Sequence, residues 1–225
     1  MNHAPTMTEG NEMNEQKLRT ELVRTCQKLD ALGLSHGTSG NLSVRCGEGF
    51  LITPSGFGAE GLTQDDIVWV ALSGEARGRW QPSSEWLFHR DIYAQRVEFN
   101  AIIHAHSNAA TALACLRRDI PPFHYMLALL GGDSLRCANY ATFGTQALSD
   151  NALLAMQDRK ACLLANHGII AAGKNLAEAY RNTVEVENLS ELYLRALSVG
   201  EPVLLTADEF ADAQCQFVGY GKPRR

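Results

Sequence analysis

Two histidines one residue apart, His104 and His106, and a third, His167, followed by glycine, are the side chains of this 225-residue sequence best suited to hold a metal ion. Residues i and i+2 of a strand project from one face, so a strand over 101–106 sets the first two imidazoles side by side at chelating separation. An isolated H-x-H also occurs at sheet edges with both rings bonded to backbone carbonyls, and the pair alone decides nothing. His167 changes the balance. It follows the apolar run 161–165 and precedes Gly168, whose freedom lets the chain turn tightly and bring a third imidazole towards a neighbouring strand. Three neutral imidazoles with coordination positions left open match a catalytic zinc site, whereas a structural site closes with four protein ligands. The sequence has no C-x-x-C pair for the latter. The expected cofactor is one Zn²⁺ per subunit, with Mn²⁺ or Co²⁺ as alternatives.

Glu85 follows Pro82-Ser83-Ser84 where a helix is expected to begin. A carboxylate there favours the positive end of the helix dipole, so capping is its plain structural use and a general base beside a metal its chemical one. Ser83 and Ser84 combine hydroxyls with the N–H groups of that helix start, which suits an anion. Gly37-Thr38-Ser39-Gly40-Asn41 and Thr53-Pro54-Ser55-Gly56 are two further turns whose N–H groups can surround a phosphate. Singly such segments are ordinary turns; three in one chain suggest a shared anion. His36, His89 and His124 have no evident partner and read as structural or surface residues. Tyr125, Phe143 and Tyr220 are aromatics in loop-like surroundings, for which a core or interface role is the default.

The elements that must position these groups are readable from periodicity. Leu18, Leu22, Val23, Cys26, Leu29 and Leu32 mark one face of a helix over 16–33. Short strands are expected over 41–45, 50–53 and 66–72, then a helix from about 84 whose buried side is Trp86, Phe88 or His89, Ile92 and Val97. A strand over 101–106 leads into a helix over 108–116, and another strand-to-helix passage runs over 135–156. Strands over 161–165 and 169–172 meet at Asn166-His167-Gly168. The longest helix, 176–197, presents Leu176, Tyr180, Val184, Leu189, Leu192 and Leu194, and a last one spans 207–217. This is an α/β chain, a sheet covered by helices, without the regular βαβ alternation or Gly-rich opening of a dinucleotide fold. Residues 1–16 read as a disordered lead-in, His3 included, and 17–225 as one domain.

A net charge of −5 and a pI of about 5.8 lack the basic excess of a nucleic-acid footprint. No run of eighteen apolar residues suggests a membrane span, and the polar start is unlike a signal peptide. The six scattered cysteines read as reduced core thiols, so a cytoplasmic location is expected.

The ordered strings GTSGNLSVR, LITPSG, PSSEW, HAH, IPPFHYM, GGDS, YATFGT, NHG and EVENLSELYL, spread over 17–220, resemble the class II aldolase and adducin-head family on its fuculose-phosphate side. The resemblance implies a three-layer α/β/α fold with a mostly antiparallel central sheet. It puts His104, His106 and His167 on the zinc-ligand positions and Glu85 on the acid/base position. Gly40, Asn41, Ser55, Gly56, Ser83 and Ser84 fall on phosphate-binding positions, Ser55 replacing a usual threonine and keeping its hydroxyl. Tyr125 matches a tyrosine that reaches into a neighbouring subunit's site, and Tyr220 a mobile-tail tyrosine, within a homotetramer of fourfold symmetry whose active sites lie at subunit interfaces. The implied reaction cleaves a fuculose 1-phosphate-like ketose into dihydroxyacetone phosphate and a small aldehyde such as lactaldehyde, with the Glu85 pKa raised by burial. Alternative substrates are 5-deoxyribulose and 5-methylthioribulose 1-phosphates. Alternative chemistries of the same fold are 4-epimerisation, dehydration and decarboxylation. A non-enzymatic adducin-like scaffold is disfavoured, since it has no use for a clustered ligand set.

Overall fold

Alternation along one central strand sorts the molecule into layers. In the computed structural model, which describes residues 9–218, β5 (Ala101–Ala105) sends Ile103 and Ala105 to one apolar core and Ile102 to the other. It lies in an eight-stranded sheet with β1 (Asn41–Cys46), β2 (Gly49–Ile52), β3 (Val68–Ala71), β4 (Ala76–Arg77), β6 (Cys137–Ala138), β7 (Ala161–Leu164) and β8 (Gly168–Gly173). The order is β4-β3-β2-β1-β5-β8-β7-β6, and every pairing is antiparallel except β6 with β7.

On one face pack α1 (Glu9–Ala31), α3 (Asn108–Cys115), α5 (Leu176–Val199) and α6 (Ala207–Phe217), contributing Leu22, Leu113, Val186 and Phe210 to that core. The other face is covered by α2 (Trp86–Gln95) and α4 (Gln146–Ala155), which bury Phe88, Ile92, Leu148 and Ala152. Each Leu, Ile, Val or Phe among them that is fully withdrawn from water contributes about 1.5–3 kcal/mol. The three-layer arrangement and the mostly antiparallel sheet agree with the expected fold.

Several boundaries differ for physical reasons. The helix expected from 16 begins at Glu9, so only the front of the anticipated lead-in precedes it; Glu15 pairs with Arg19 at 2.6 Å and Gln16 donates to Gln64 at 2.7 Å, tying that polar turn down. His3 lies outside the described residues. Asp66 belongs to a 3-10 turn, where its carboxylate accepts from Thr63 and Trp80, rather than to β3. Val97, expected on the buried side of α2, follows the helix and is 78% exposed; Phe88 and His89, expected as alternatives, are both buried, and Asp91 and Tyr93 join them. The buried stripe of α5 runs through Leu176, Ala179, Thr183, Val186, Leu189 and Tyr193, with Leu192 exposed. Small and hydroxylated residues win that stripe because α5 lies close on β8, and Thr183 satisfies its hydroxyl on the Ala179 carbonyl. No disulfide links the cysteines; Cys26 and Cys162 are buried, but Cys115 and Cys215 are exposed, against the expectation of core thiols throughout. No described helix is long and apolar enough to cross a membrane.

Candidate active site

β5 and β8 bring the histidines together through sheet register. His104 is fully buried on the face covered by α2, and its Nδ1 lies 2.8 Å from the Ile169 carbonyl. Since a carbonyl only accepts, Nδ1 carries a hydrogen, and in the neutral ring Nε2 then offers its lone pair. His106 lies one residue beyond the end of β5, yet its Nε2 faces His104 Nε2 at 2.9 Å. His167 sits in the β7–β8 corner, whose register pairs Leu164 with Gly168 and Ala105 with Ile169.

The corner is not turned by Gly168. Asn166 supplies the left-handed step, at φ 54°, where asparagine is one of the few residues that settle readily. Gly168 serves close approach: a Cβ there would stand 2.5 Å from the Ala105 carbonyl oxygen and 2.8 Å from His106 Cδ2. Gly168→Ala is therefore expected to destabilise the fold by about 1–3 kcal/mol through overpacking and to displace His106. Chemical denaturation checks the first effect; an unchanged midpoint would contradict the close-packing account.

The three imidazoles form a cradle. Their ring centroids are 4.7–4.9 Å apart with interplanar angles of 71–80°, and their ligand nitrogens lie within 4.8 Å of one another. Burial, then the charge of His104, pushes the His106 and His167 pKa values down to about 4, so both are neutral at pH 7 with lone pairs available. Imidazole nitrogens converging this closely suit a cation, and three nitrogen ligands leave coordination positions for a substrate.

Glu85 closes the cradle. It is the N-cap of α2, but its carboxylate makes no capping bond; α2 starts at Trp86 rather than at 84. Instead Oε2 lies 3.2 Å from His104 Nε2 and accepts from Asn41 Nδ2 at 3.0 Å, and Oε1 lies 3.3 Å from His167 Nε2. Oε1 is buried and has no hydrogen-bond donor among the described residues. Burial alone would raise the carboxyl pKa, as expected from sequence. When His104 and His167 carry protons, charge and hydrogen bonding from His104, the charge of His167 and the Asn41 amide outweigh it and hold the group well below the usual carboxylate range.

A cleft of about 320 Å³ opens over this group, lined by Gly40, Ser55, Gly56, Ser83, Ser84 and Glu85 among others. The three hydroxyl turns thus meet at one place. Their meeting has a backbone cause: Ser83 N donates to the Thr53 carbonyl and Ser55 N to the Gln81 carbonyl, both at 3.1 Å, zipping two of the turns together. Those two N–H groups are consequently spent on each other's segments, and Ser83 also keeps its hydroxyl within reach of Glu85 N, at 3.3 Å. Gly40 holds φ +84°, and a Cβ there would stand 2.8 Å from the His104 carbonyl oxygen, so the first turn presses directly against the metal-cradle strand. Asn41 borders the cleft, but its side chain is turned to Glu85 and His89.

Tyr125 is not among the cleft residues. It begins the 3-10 segment Tyr125–Leu130, is 51% exposed, and stacks between His124 and Phe217. Tyr220 lies outside the described residues. Sequence reasoning missed Tyr140 and assigned Phe143 to a core or interface; both are exposed aromatics on the cleft wall. Asn166 also reaches the cleft, its amide oxygen accepting from Arg117 Nε at 2.7 Å. His89, read as partnerless, is fully buried between Ser43 and Asn41. Its place one helical turn beyond Glu85 was the available signal.

Comparison with known proteins gives this site its relatives. Residues 20–194 match the family described as Class II Aldolase and Adducin N-terminal domain. A 5-methylthioribulose-1-phosphate/5-deoxyribulose-1-phosphate aldolase of Rhodospirillum rubrum is 52% identical over 204 residues, 91% of this chain and 92% of that one. The L-fuculose phosphate aldolase of Escherichia coli is 44% identical over 210 residues, 93% of this chain and 98% of that one. A solved L-fuculose 1-phosphate aldolase structure superposes with a TM-score of 0.86 at 42% identity, covering 90% of this chain and 96% of its own.

Proposed function

The chain belongs to the class II aldolase and adducin family, and we propose that it cleaves 5-methylthioribulose or 5-deoxyribulose 1-phosphate, in preference to fuculose 1-phosphate, into dihydroxyacetone phosphate and an aldehyde. Class II aldolases of the fuculose-phosphate and methylthioribulose-phosphate type are metal-dependent lyases, and the three-histidine cradle supports one Zn²⁺ per subunit held by His104, His106 and His167. The observation that carries the catalytic reading is the buried carboxylate of Glu85, with Oε1 lacking a donor among the described residues, at the floor of a cleft ringed by hydroxyl turns. The order of substrates follows the higher identity to the methylthioribulose enzyme, 52% against 44%.

The substrate phosphate would sit among Gly40, Ser55, Gly56, Ser83 and Ser84, with Asn41 at their edge, and its binding energy would orient the reacting carbons over Glu85. A cation in the histidine cradle would act as a Lewis acid, drawing electron density from the substrate oxygens as the C3–C4 bond breaks. The C4 hydroxyl loses its proton as it becomes the aldehyde, and C3 gains one as it becomes the hydroxymethyl carbon. Glu85, ionised in the free site, is suited to take up that released proton and deliver it to C3 through Oε1, and to remove it again in the reverse direction. Tyr125, exposed and away from its own chain's cleft, is suited to relay the C4 proton in a neighbouring subunit of a fourfold tetramer, with Tyr220 on the tail as a second candidate. We place this enzyme in the cytoplasm, in keeping with its unpaired cysteines.

A coupled assay for dihydroxyacetone phosphate across 5-methylthioribulose, 5-deoxyribulose and fuculose 1-phosphates tests the reading. The expected result is the highest kcat/KM on one of the first two. A preference for fuculose 1-phosphate reverses the substrate order, and no release from any of them, with epimerisation of a pentulose 5-phosphate, overturns the aldolase assignment.

A further inference from the structure

Behind Glu85 runs a buried chain of hydrogen bonds that proton transfer as described does not use. Asn41 Nδ2 donates to Glu85 Oε2 at 3.0 Å, and Asn41 Oδ1 lies 2.5 Å from His89 Nε2. His89 Nδ1 lies 2.7 Å from Ser43 Oγ, which lies 2.8 Å from the Tyr93 hydroxyl. His89 and Ser43 are fully buried and Tyr93 is 1% exposed. Two matched periodicities build this arrangement. Glu85, the N-cap of α2, and His89 and Tyr93 within it follow one another at i, i+4 steps, a rise of about 6 Å for each helical step. Asn41 and Ser43 are i, i+2 neighbours of β1, about 6.8 Å apart. Helix and strand can therefore stay in register, so each strand side chain bridges two from the helix.

The directions of these bonds are determined by what each atom can do. The Asn41 amide oxygen only accepts, so His89 Nε2 carries the hydrogen. In the neutral imidazole Nδ1 is then an acceptor, taking the Ser43 hydroxyl hydrogen, and Ser43 Oγ accepts from Tyr93. Were the Asn41 amide turned over, its oxygen would face the Glu85 carboxylate, acceptor against acceptor, and its NH₂ would face the His89 N–H, donor against donor. The acceptor-only carboxylate of Glu85 thus selects the amide orientation, and the His89 N–H on Asn41 Oδ1 holds the amide in it. Only Oε2 is held this way; Oε1, the oxygen nearer His167, receives no hydrogen bond among the described residues.

We infer that His89 is a positioning residue for the reaction: acting through Asn41, it pins Glu85 Oε2 and leaves Oε1 as the oxygen that exchanges the proton with the substrate carbon. This rests on the acid–base role proposed for Glu85. Loss of the restraint leaves the substrate-binding hydroxyls and the metal ligands in place but lets the carboxylate rotate away from its productive orientation.

The metal-loaded enzyme with His89→Leu, His89→Gln, Asn41→Ala and the double His89→Leu/Asn41→Ala tests this. Measured quantities are kcat and KM for cleavage, exchange of the hydroxymethyl hydrogens of dihydroxyacetone phosphate with deuterated water, and metal content. For His89→Leu the expected result is an equal fall in kcat and exchange of about 10–100-fold, with KM and metal content near wild type. His89→Gln keeps an N–H near the position of Nε2 and is expected to recover most of the rate. The double variant is expected to be no slower than Asn41→Ala, because both changes break one chain. Wild-type rates in His89→Leu, or losses that multiply in the double variant with no recovery in His89→Gln, would overturn the inference. Should His89→Leu not fold, Asn41→Asp carries the same test: its carboxylate accepts from His89 but offers Glu85 no donor, and full activity there overturns the inference equally. Glu85→Gln run alongside separates the two ideas. If that variant is fully active the acid–base reading itself fails; if it is inactive while His89→Leu matches wild type, only the positioning role fails.

Discussion

Glu85→Gln is expected to retain its metal and its affinity for the ketose phosphate while cleavage falls about 10²–10⁴-fold, the usual contribution of a positioned general acid or base. Glutamine preserves the length and the acceptor that Asn41 Nδ2 contacts at 3.0 Å, so the local packing has little reason to change. What it removes is the ability of Oε1 to carry a proton. Solvent exchange into dihydroxyacetone phosphate isolates this step from carbon–carbon cleavage and should fall in parallel. Activity within a few-fold of wild type, with metal bound, would take Glu85 out of the proton path. The control that matters is metal content, because Oε1 also lies 3.3 Å from His167 Nε2 and an amide there could disturb that imidazole.

His106→Ala is expected to produce the other large effect, loss of stoichiometric metal together with loss of cleavage by about 10³-fold or more, the scale of several kcal/mol of Lewis-acid stabilisation. His106, like His167, lies outside a strand and is only partly buried, so its truncation opens less core than truncation of the fully buried His104 would. Its rings meet His104 and His167 at 4.7 and 4.9 Å, and its removal leaves two ligands with too little chelation to hold a divalent ion tightly. Elemental analysis of the purified variant and a thermal melt separate the outcomes. A folded variant that keeps one metal per chain and cleaves normally would remove this cradle as the metal site, and would revive the reading of the domain as a scaffold.

Most of the site was legible in the residues because its parts are local. H-x-H on an apolar strand, N-H-G at a corner between strands and hydroxyl turns beside glycines each carry their chemistry within a few positions, and the structure gathers them around one cleft. The errors came where a side chain had two uses and only distant neighbours could choose between them. Glu85 has the position of a cap but makes no capping bond, because Asn41, His104 and His167 offer it more. Gly168 has the look of a turn residue but serves contact with Ala105 and His106. His89 appeared partnerless since both of its partners lie more than forty residues away along the chain.

The sequence by itself determined the residue types available for metal, proton and phosphate chemistry, the α/β class, and the family, because each rests on short patterns whose meaning travels with them. Only the tertiary structure decided which oxygen of Glu85 is held and which has no donor among the described residues. It also decided that Tyr125 stands outside its own chain's cleft, and that the hydroxyl turns are laced together through their backbones. Those outcomes depend on sheet register and on α2 lying against β1, and register is a competition among all the strands and helices at once, which no local pattern records.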